Sequence, residues 1–300
     1  MPQIKANGLT LEYDITGEAG AEPLLLIMGL GAQMTRWSPA FTEKLAARGF
    51  RVIRFDNRDI GLSEKFDAAG APDMAAIFTA LSQGKRPDVA YDLDDMAKDA
   101  AGLLAALGIE RAHIVGASMG GMIAQLVAAN HPERTLSLTS IMSTTGNPDL
   151  PRATPEAMER LNTPAPNPHE DLEAYVAHSI AGARVMGSPA YPVSDAELRE
   201  QAIAAVERSY YPVGFLRQYA AILASPDRRP KLAAITAPTV VIHGAADPLV
   251  PVEGGRDTAA SIKGARLVEI PGMGHDVPAE LYDTIIDAIV SATERARVGA

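Results

Sequence analysis

The chain has 300 residues, 47% hydrophobic and 21% charged, with 27 Lys and Arg against 37 Asp and Glu for a formal charge of -10. That composition belongs to a folded globular protein rather than a disordered or fibrous one, and the length predicts one core carrying an insertion. The negative balance, with its cations scattered, argues against nucleic acid as a partner, and the absence of cysteine excludes disulfides, thiolate metal sites and a cysteine nucleophile.

The first residues, MPQIKANGLTLEYDITG, show neither a charged n-region nor an apolar h-region, so a cytoplasmic protein is the expectation. QIKA and LTLEYDI flank Asn7-Gly8, a dipeptide that tolerates positive φ, and the three together predict an antiparallel hairpin. Continuous apolar runs follow at 23–29, 51–56 and 112–116, as parallel strands buried on both faces should read. The longest apolar run, Leu24 to Leu30, is far shorter than the roughly 18 residues a membrane-spanning helix needs, and no membrane span is predicted. Leu93, Met96, Ala97, Ala100, Leu103, Leu104 and Leu107 recur at helical spacing after Asp92 and before Gly108, which predicts a capped helix over about 93–107.

After Gly116 a helix is expected to Asn130, then strands at 136–143, 239–244 and 265–270, and a closing amphipathic helix over Ala279 to Arg295. The interval between the strands at 136–143 and 239–244 breaks the rhythm. It is proline-rich early and then helical and polar, which predicts a helical cap over 145–230 inserted into a core of 1–144 and 231–300. The fold class expected is α/β: a mostly parallel central sheet with an N-terminal antiparallel hairpin, helices on both faces and the cap.

Gly116-Ala117-Ser118-Met119-Gly120 stands where a strand ends and a helix begins, the context a nucleophile elbow requires, and Gly116 and Gly120 let the two approach. A serine hydroxyl needs a base, and the base an orienting acid, in the chain order Ser, Asp or Glu, His. Of six histidines, His113 precedes the serine, His131 ends the next helix, His169 and His178 fall in the cap, and His243 lies inside a strand. His275, in the loop IPGMGHDVP, is the candidate base. Asp247, just beyond the strand 239–244, is the candidate acid, with Asp149 as its rival. Two N–H groups should converge on the developing oxyanion. Met119 directly follows the serine, and Leu30, between Gly29 and Gly31, is the choice from the loop after the strand 23–29.

The segments LLLIMGLG, RFDNRDIGLS, GASMGG, VIHGAADPLVP and IPGMGH, in that order, resemble the α/β-hydrolase family across the core, and within it the bacterial esterase branch that includes aclacinomycin methylesterase. The resemblance implies Ser118 as nucleophile, Asp247 as acid, His275 as base, and the amides of Leu30 and Met119 as oxyanion hole. Two positions depart from the family. Met28 replaces the common histidine before the oxyanion glycine, and Asp59 replaces the glycine of the Arg-Gly pair that frequently follows the fourth strand.

The acids and Arg58 of the loop Asp56 to Ser63 are read as satisfying backbone groups and one another. Met34 and Trp37 are candidates either for the pocket wall or for packing, and Tyr210 and Tyr211 are weaker candidates from the cap. No His or acidic cluster has metal spacing, and no metal or cofactor is expected. The function expected is a serine hydrolase that cleaves a carboxylic ester, with a small-molecule ester as its partner. The alternatives are a perhydrolase or carbon–carbon bond hydrolase using the same triad, or a non-catalytic ligand receptor on the same fold.

Overall fold

A computed structural model describes residues 2–298. Strands β1 (Gln3–Ala6) and β2 (Leu9–Thr16) form the hairpin, with Ala6 opposite Leu9 and Asn7 and Gly8 at φ 48° and 79°. Both turn residues take the positive φ that a tight two-residue hairpin demands. Strand β2 hands the hairpin to the main sheet by pairing antiparallel with β4 (Phe50–Phe55). β3 (Glu22–Ile27), β5 (Ala112–Ala117), β6 (Thr135–Ile141), β7 (Thr239–Gly244) and β8 (Arg266–Ile270) complete an eight-stranded sheet in the order β1-β2-β4-β3-β5-β6-β7-β8. From β4 through β8 every neighbouring pair is parallel.

The alternation of side chains along a strand sorts the core into two layers. Leu25, Ile27 and Ile53 face α3 (Leu93–Ala106) and α4 (Met119–Asn130), where Met96, Leu103, Leu104 and Ile123 meet them. Leu24, Leu26 and Val52 face α1 (Pro39–Ala47) and α11 (Tyr282–Val298), meeting Phe41, Leu45, Ile285 and Ile289. α3 opens on a reciprocal capping box between Asp92 and Asp95 and gives way to Gly108 at φ 70°, at the boundary predicted within a residue.

Three details differ from expectation. β6 stops at Ile141 because Met142 turns to φ 41°, so Ser143 leaves the sheet and hydrogen-bonds instead to the Ser118 carbonyl at 2.9 Å. The closing helix begins as a single tight turn at Ala279–Leu281 and then runs as α11 to Val298. A helix that the sequence reading did not include, α2 (Met74–Ser82), lies between β4 and α3. Its run MAAIFTALS is apolar on most faces, so it lacks the polar stripe by which a surface helix is read.

Between β6 and β7 the chain forms α5 (Pro155–Asn162), α6 (Leu172–Met186), α7 (Asp195–Arg208), α8 (Pro212–Leu223) and α9 (Arg229–Leu232). α10 (Glu253–Ser261) joins β7 to β8. Among the described residues no helix is long and apolar enough to cross a membrane.

Candidate active site

The chain leaves β3 toward β4 on one side, and later enters β5 on the other side of β3. In an open α/β sheet the crevice at such a reversal, outside the carboxyl ends of the strands, is where ligands bind. The loop after β3 and the turn after β5 both open into it.

The turn after β5 is tight. Ser118 sits at φ 56°, ψ -121° between β5 and α4, a left-handed conformation that costs a non-glycine residue energy and is held here from both sides. Its N–H donates to Ile141 O at 2.9 Å, and its carbonyl accepts from the Ser143 hydroxyl at 2.9 Å. Side chains at the flanking glycines would collide with backbone: a Cβ on Gly116 would stand 2.0 Å from Gly120 O, and one on Gly120 would stand 2.1 Å from Ile27 O. Strand and helix can therefore cross this closely only with glycine at both positions.

His275 Nε2 lies 2.9 Å from Ser118 Oγ, and its Nδ1 lies 2.7 Å from Asp247 Oδ2. A carboxylate cannot donate, so Nδ1 carries the hydrogen and Nε2 is left free to accept from the serine. Asp247 is fixed in its turn, its Oδ1 accepting the N–H groups of Leu249 and Val250 at 2.9 Å each. The loop bearing His275 is tied to the segment between β6 and β7: His275 N–H donates to Met186 O at 2.7 Å, and Gly274 N–H donates to Ser188 Oγ at 2.9 Å. Ser188 also hydrogen-bonds Asp276, whose carboxyl burial pushes above its ordinary range. The rival acid, Asp149, is exposed, and its N–H closes a local turn on Asn147 Oδ1. The structure brings Asp247, not Asp149, to the histidine.

The loop after β3 lies against the elbow. A Cβ on Gly29 would stand 3.1 Å from Ser118 Cβ and 3.6 Å from Ser118 Oγ. Leu30 is the next residue, and Met119 occupies the first position of α4, where helix geometry leaves the N–H without an intrahelical partner. Gly31 takes φ 67°, and its N–H donates to Gln218 Oε1 on α8 at 2.9 Å. On the other flank Asn57 Nδ2 donates to Met28 O at 2.8 Å.

The acids of the loop after β4 do satisfy backbone groups, as expected, but they and Arg58 pair with charges outside the loop rather than with one another. Asp56 accepts the N–H groups of Met34 and Leu62 at 2.8 and 2.9 Å and pairs with Arg208 at 2.7 Å. Asp59 adopts φ 69° and buries its carboxylate completely against Arg217 on α8 at 2.7 Å. Burial alone would raise its pKa, but hydrogen bonds from Arg217, Phe66 N–H and Tyr91 hold it below the usual carboxylate range. Arg58 pairs with buried Asp99 at 2.6 Å.

A cavity of about 1490 Å³ opens beside His275 and Leu30. Its walls come from both regions, with Tyr175, Tyr210 and Phe215 from the segment between β6 and β7 and Phe78 from α2. Met34 and Trp37 do not reach it, which corrects their candidacy as pocket wall. They are 0% and 1% exposed, and Trp37 stacks on Phe41 with ring centroids 5.3 Å apart, because the turn they occupy points them under the loop into the core. Among the described residues, no group of three or more His, Asp or Glu is placed to hold a metal ion.

Sequence reasoning missed Gln218, Asn57, Arg217 and Ser143. Gln218 lies 187 positions from Gly31 and 160 from Arg58, so no local pattern connects it to the loop it holds.

The family model for the alpha/beta hydrolase fold matches residues 22–280. The chain belongs to this family. Among its curated relatives, rhodomycin D methylesterase DauP of Streptomyces sp. (strain C5) is 31% identical, and rhodomycin D methylesterase DnrP of Streptomyces peucetius is 29% identical. Each alignment covers 98% of this chain and 98% of the relative. Among solved structures, the enol-lactonase from Burkholderia xenovorans LB400 superposes with a TM-score of 0.71 at 25% identity, over 98% of this chain and 100% of that one. The meta-cleavage product hydrolase from Pseudomonas fluorescens IP01 superposes with a TM-score of 0.75 at 21% identity, over 99% and 98%, which extends the likeness of fold.

Proposed function

We propose that this α/β hydrolase cleaves carboxylic esters through an acyl-enzyme on Ser118. The observation that carries the reading is the relay from Ser118 Oγ to His275 Nε2 at 2.9 Å and from His275 Nδ1 to Asp247 Oδ2 at 2.7 Å. Such a chain lets an otherwise weak hydroxyl act as a nucleophile.

Ser118 Oγ attacks the ester carbonyl carbon as its proton passes to His275 Nε2. Asp247 stabilises the resulting imidazolium. The carbonyl oxygen becomes an oxyanion held by the N–H groups of Leu30 and Met119, and donors of this kind, aimed where charge develops, contribute on the order of 10²- to 10³-fold each. The tetrahedral intermediate collapses, the alcohol leaves with the proton from His275, and acyl-Ser118 remains. A water then gives a proton to Nε2 and attacks the acyl carbon. Release of the carboxylic acid returns the proton to Ser118.

Residues 145–230 act in this reading as a cap that encloses the substrate and sets which esters enter. Two supports make methyl esters of bulky acids the preferred substrate class. Two relatives aligned over 98% of the chain are named rhodomycin D methylesterases, and a cavity of about 1490 Å³ exceeds what a short acyl chain fills. Turnover on a panel of short-chain acyl esters beside methyl esters of large polycyclic acids is the test. The expected result is higher kcat/KM on the methyl esters, with Ser118→Ala silent on every member. Cleavage surviving in Ser118→Ala would remove the acyl-enzyme, and a burst of one product equivalent without turnover would make the protein a ligand receptor.

A further inference from the structure

The loop proposed to supply the Leu30 amide is flanked by Gly29 and Gly31. Something must hold such a loop in one conformation, because backbone donors stabilise an oxyanion only when fixed within a few tenths of an ångström of their working positions. Gln218 is placed to do so. It projects from α8, is 0% exposed, and uses both ends of its amide: Oε1 accepts the Gly31 N–H at 2.9 Å, and Nε2 donates to Arg58 O at 2.8 Å.

These bonds join three separate pieces of the fold. Gly31 immediately follows Leu30, whose N–H is assigned to the oxyanion. Arg58 belongs to the loop after β4, where its neighbour Asn57 grips the other flank of the same loop through Met28 O at 2.8 Å. α8 itself is fixed by the buried Arg217–Asp59 pair one residue before Gln218, and by Gly214, where a Cβ would stand 2.1 Å from Asp59 O. A buried amide with both functions satisfied has one geometry available, and losing either partner would strand a buried polar group.

We infer that Gln218 is a positioning residue for the oxyanion hole, supplied by the segment between β6 and β7 rather than by the hydrolase core, and that it acts together with Asn57. It touches neither substrate nor the triad. Its effect is on transition-state binding, transmitted through the Gly31 amide to Leu30. The inference rests on the ester-hydrolase reading above.

The test compares Gln218→Met, which keeps the length and removes both hydrogen bonds, with Gln218→Glu, which keeps an acceptor for Gly31. 4-Nitrophenyl butyrate serves as substrate, and an alkyl trifluoromethyl ketone, whose hemiketal places an anionic oxygen in the hole, as transition-state analogue. For Gln218→Met we expect kcat to fall about 10- to 10²-fold with KM moving less than about threefold. Affinity for the ketone should fall by the same factor as kcat/KM, and Gln218→Glu should recover part of the loss. A lesion that merely loosens the fold would lower the fraction of active enzyme and leave ketone affinity per active site unchanged. If Gln218→Met does not fold, Gln218→Asn, one methylene too short to span both partners, takes its place. Wild-type kcat and ketone affinity in a folded variant would overturn the inference. The ester-hydrolase reading fails separately, on Ser118→Ala retaining turnover.

Discussion

The sheet and the segment between β6 and β7 are held by different physics. In the sheet, β5 and β7 are buried at every residue and both layers are filled by apolar side chains. In the inserted segment α7 has no fully buried residue, while α5 and α6 have one each, Ala157 and Val176. What ties that segment down is polar: Gln33 donates to Ala205 O and Ser209 O at 2.7 and 2.9 Å, Arg208 reaches Asp56, and Arg217 reaches Asp59. α8, with Gly214, Arg217, Gln218, Tyr219, Ala220 and Ala221 buried, is packed like a core element, and the short α9 after it sends Leu232 into the core. The proposed cap is thus two objects, a fixture at α8 and a cover at α5 to α7. Burial without specific partners builds a rigid platform, whereas directional hydrogen bonds between polar groups set one element against another and leave a cavity between them.

The sharpest way to break this comparison is to show that chemistry does not belong to the sheet alone. Asp247→Asn keeps the side-chain volume but cannot stabilise the imidazolium, and it permits the wrong tautomer, so kcat should drop about 10⁴-fold. Asp149→Asn, exposed on the insertion side of β6, should stay within a few-fold of wild type. Parallel kinetics on one activated ester decide it. A larger loss at Asp149 would move the acid to the earlier strand.

The next effect is on the fixture. Arg217→Met leaves the Asp59 carboxylate, 0% exposed, without its cation, and an uncompensated buried charge costs about 3 to 5 kcal/mol. Thermal and urea unfolding should both show it. Replacing both members, Asp59→Asn with Arg217→Met, should recover much of the loss. If Arg217→Met alone is neutral, α8 is held by its apolar contacts and the distinction between fixture and cover dissolves.

The same division explains what could be read in advance. Alternating strands, the capped helix α3 and the elbow are set by local rules, because φ/ψ demands and burial periodicity leave their mark within a few residues. That Ser118, Asp247 and His275 lie together could be expected because strand ends converge by topology, and each carried a signal from its own strand. The clamps were not legible. Gln218, Asn57 and Arg217 are ordinary polar residues in helix or loop, and their meaning lies in partners far along the chain. Met34 and Trp37 had the right position but an undetermined direction, since a short turn can face its side chains inward or outward and only the packing around Phe41 decides. α2 escaped because an apolar run without periodicity resembles several things at once.

A smaller effect concerns the cavity wall. Tyr175 on α6, Phe215 on α8 and Tyr210 line the cavity, so changing them should alter which ester is preferred more than whether esters are cleaved. Tyr210→Ala or Phe215→Ala should shift the ratio of kcat/KM between a bulky methyl ester and a short acyl ester by about 10- to 10²-fold, the range that one to three kcal/mol of apolar contact supplies. Unchanged ratios across such variants would mean that loops of the core build the specificity pocket.

The smallest expected effect lies in the acid response of the sheet. His113 on β5 and His243 on β7 are both 0% exposed, and burial holds the pKa of each below its ordinary value. His243 Nε2 donates to Val250 O at 2.8 Å, and a Cβ on Gly255 would stand 2.5 Å from its Nδ1, so that edge of the ring has little room for a solvating partner. Asp247 and Glu269 favour its cation and His275 opposes it, and the balance remains on the neutral side. A histidine with a depressed folded value binds fewer protons folded than unfolded, so its contribution is complete above about pH 6.5 and is lost as pH falls through the interval down to the folded value. Each such site lowers stability by at most about 1.4 kcal/mol per pH unit in that window. His178, half-buried on α6, shifts in the same direction. Thermal melts between pH 8 and 5 should therefore show Tm declining below about pH 6.5, before the carboxylates titrate, and His243→Gln should make that decline shallower. A Tm independent of pH down to 5 would mean that the sheet accommodates the charged imidazoles, and that its interior is less dry than its burial implies.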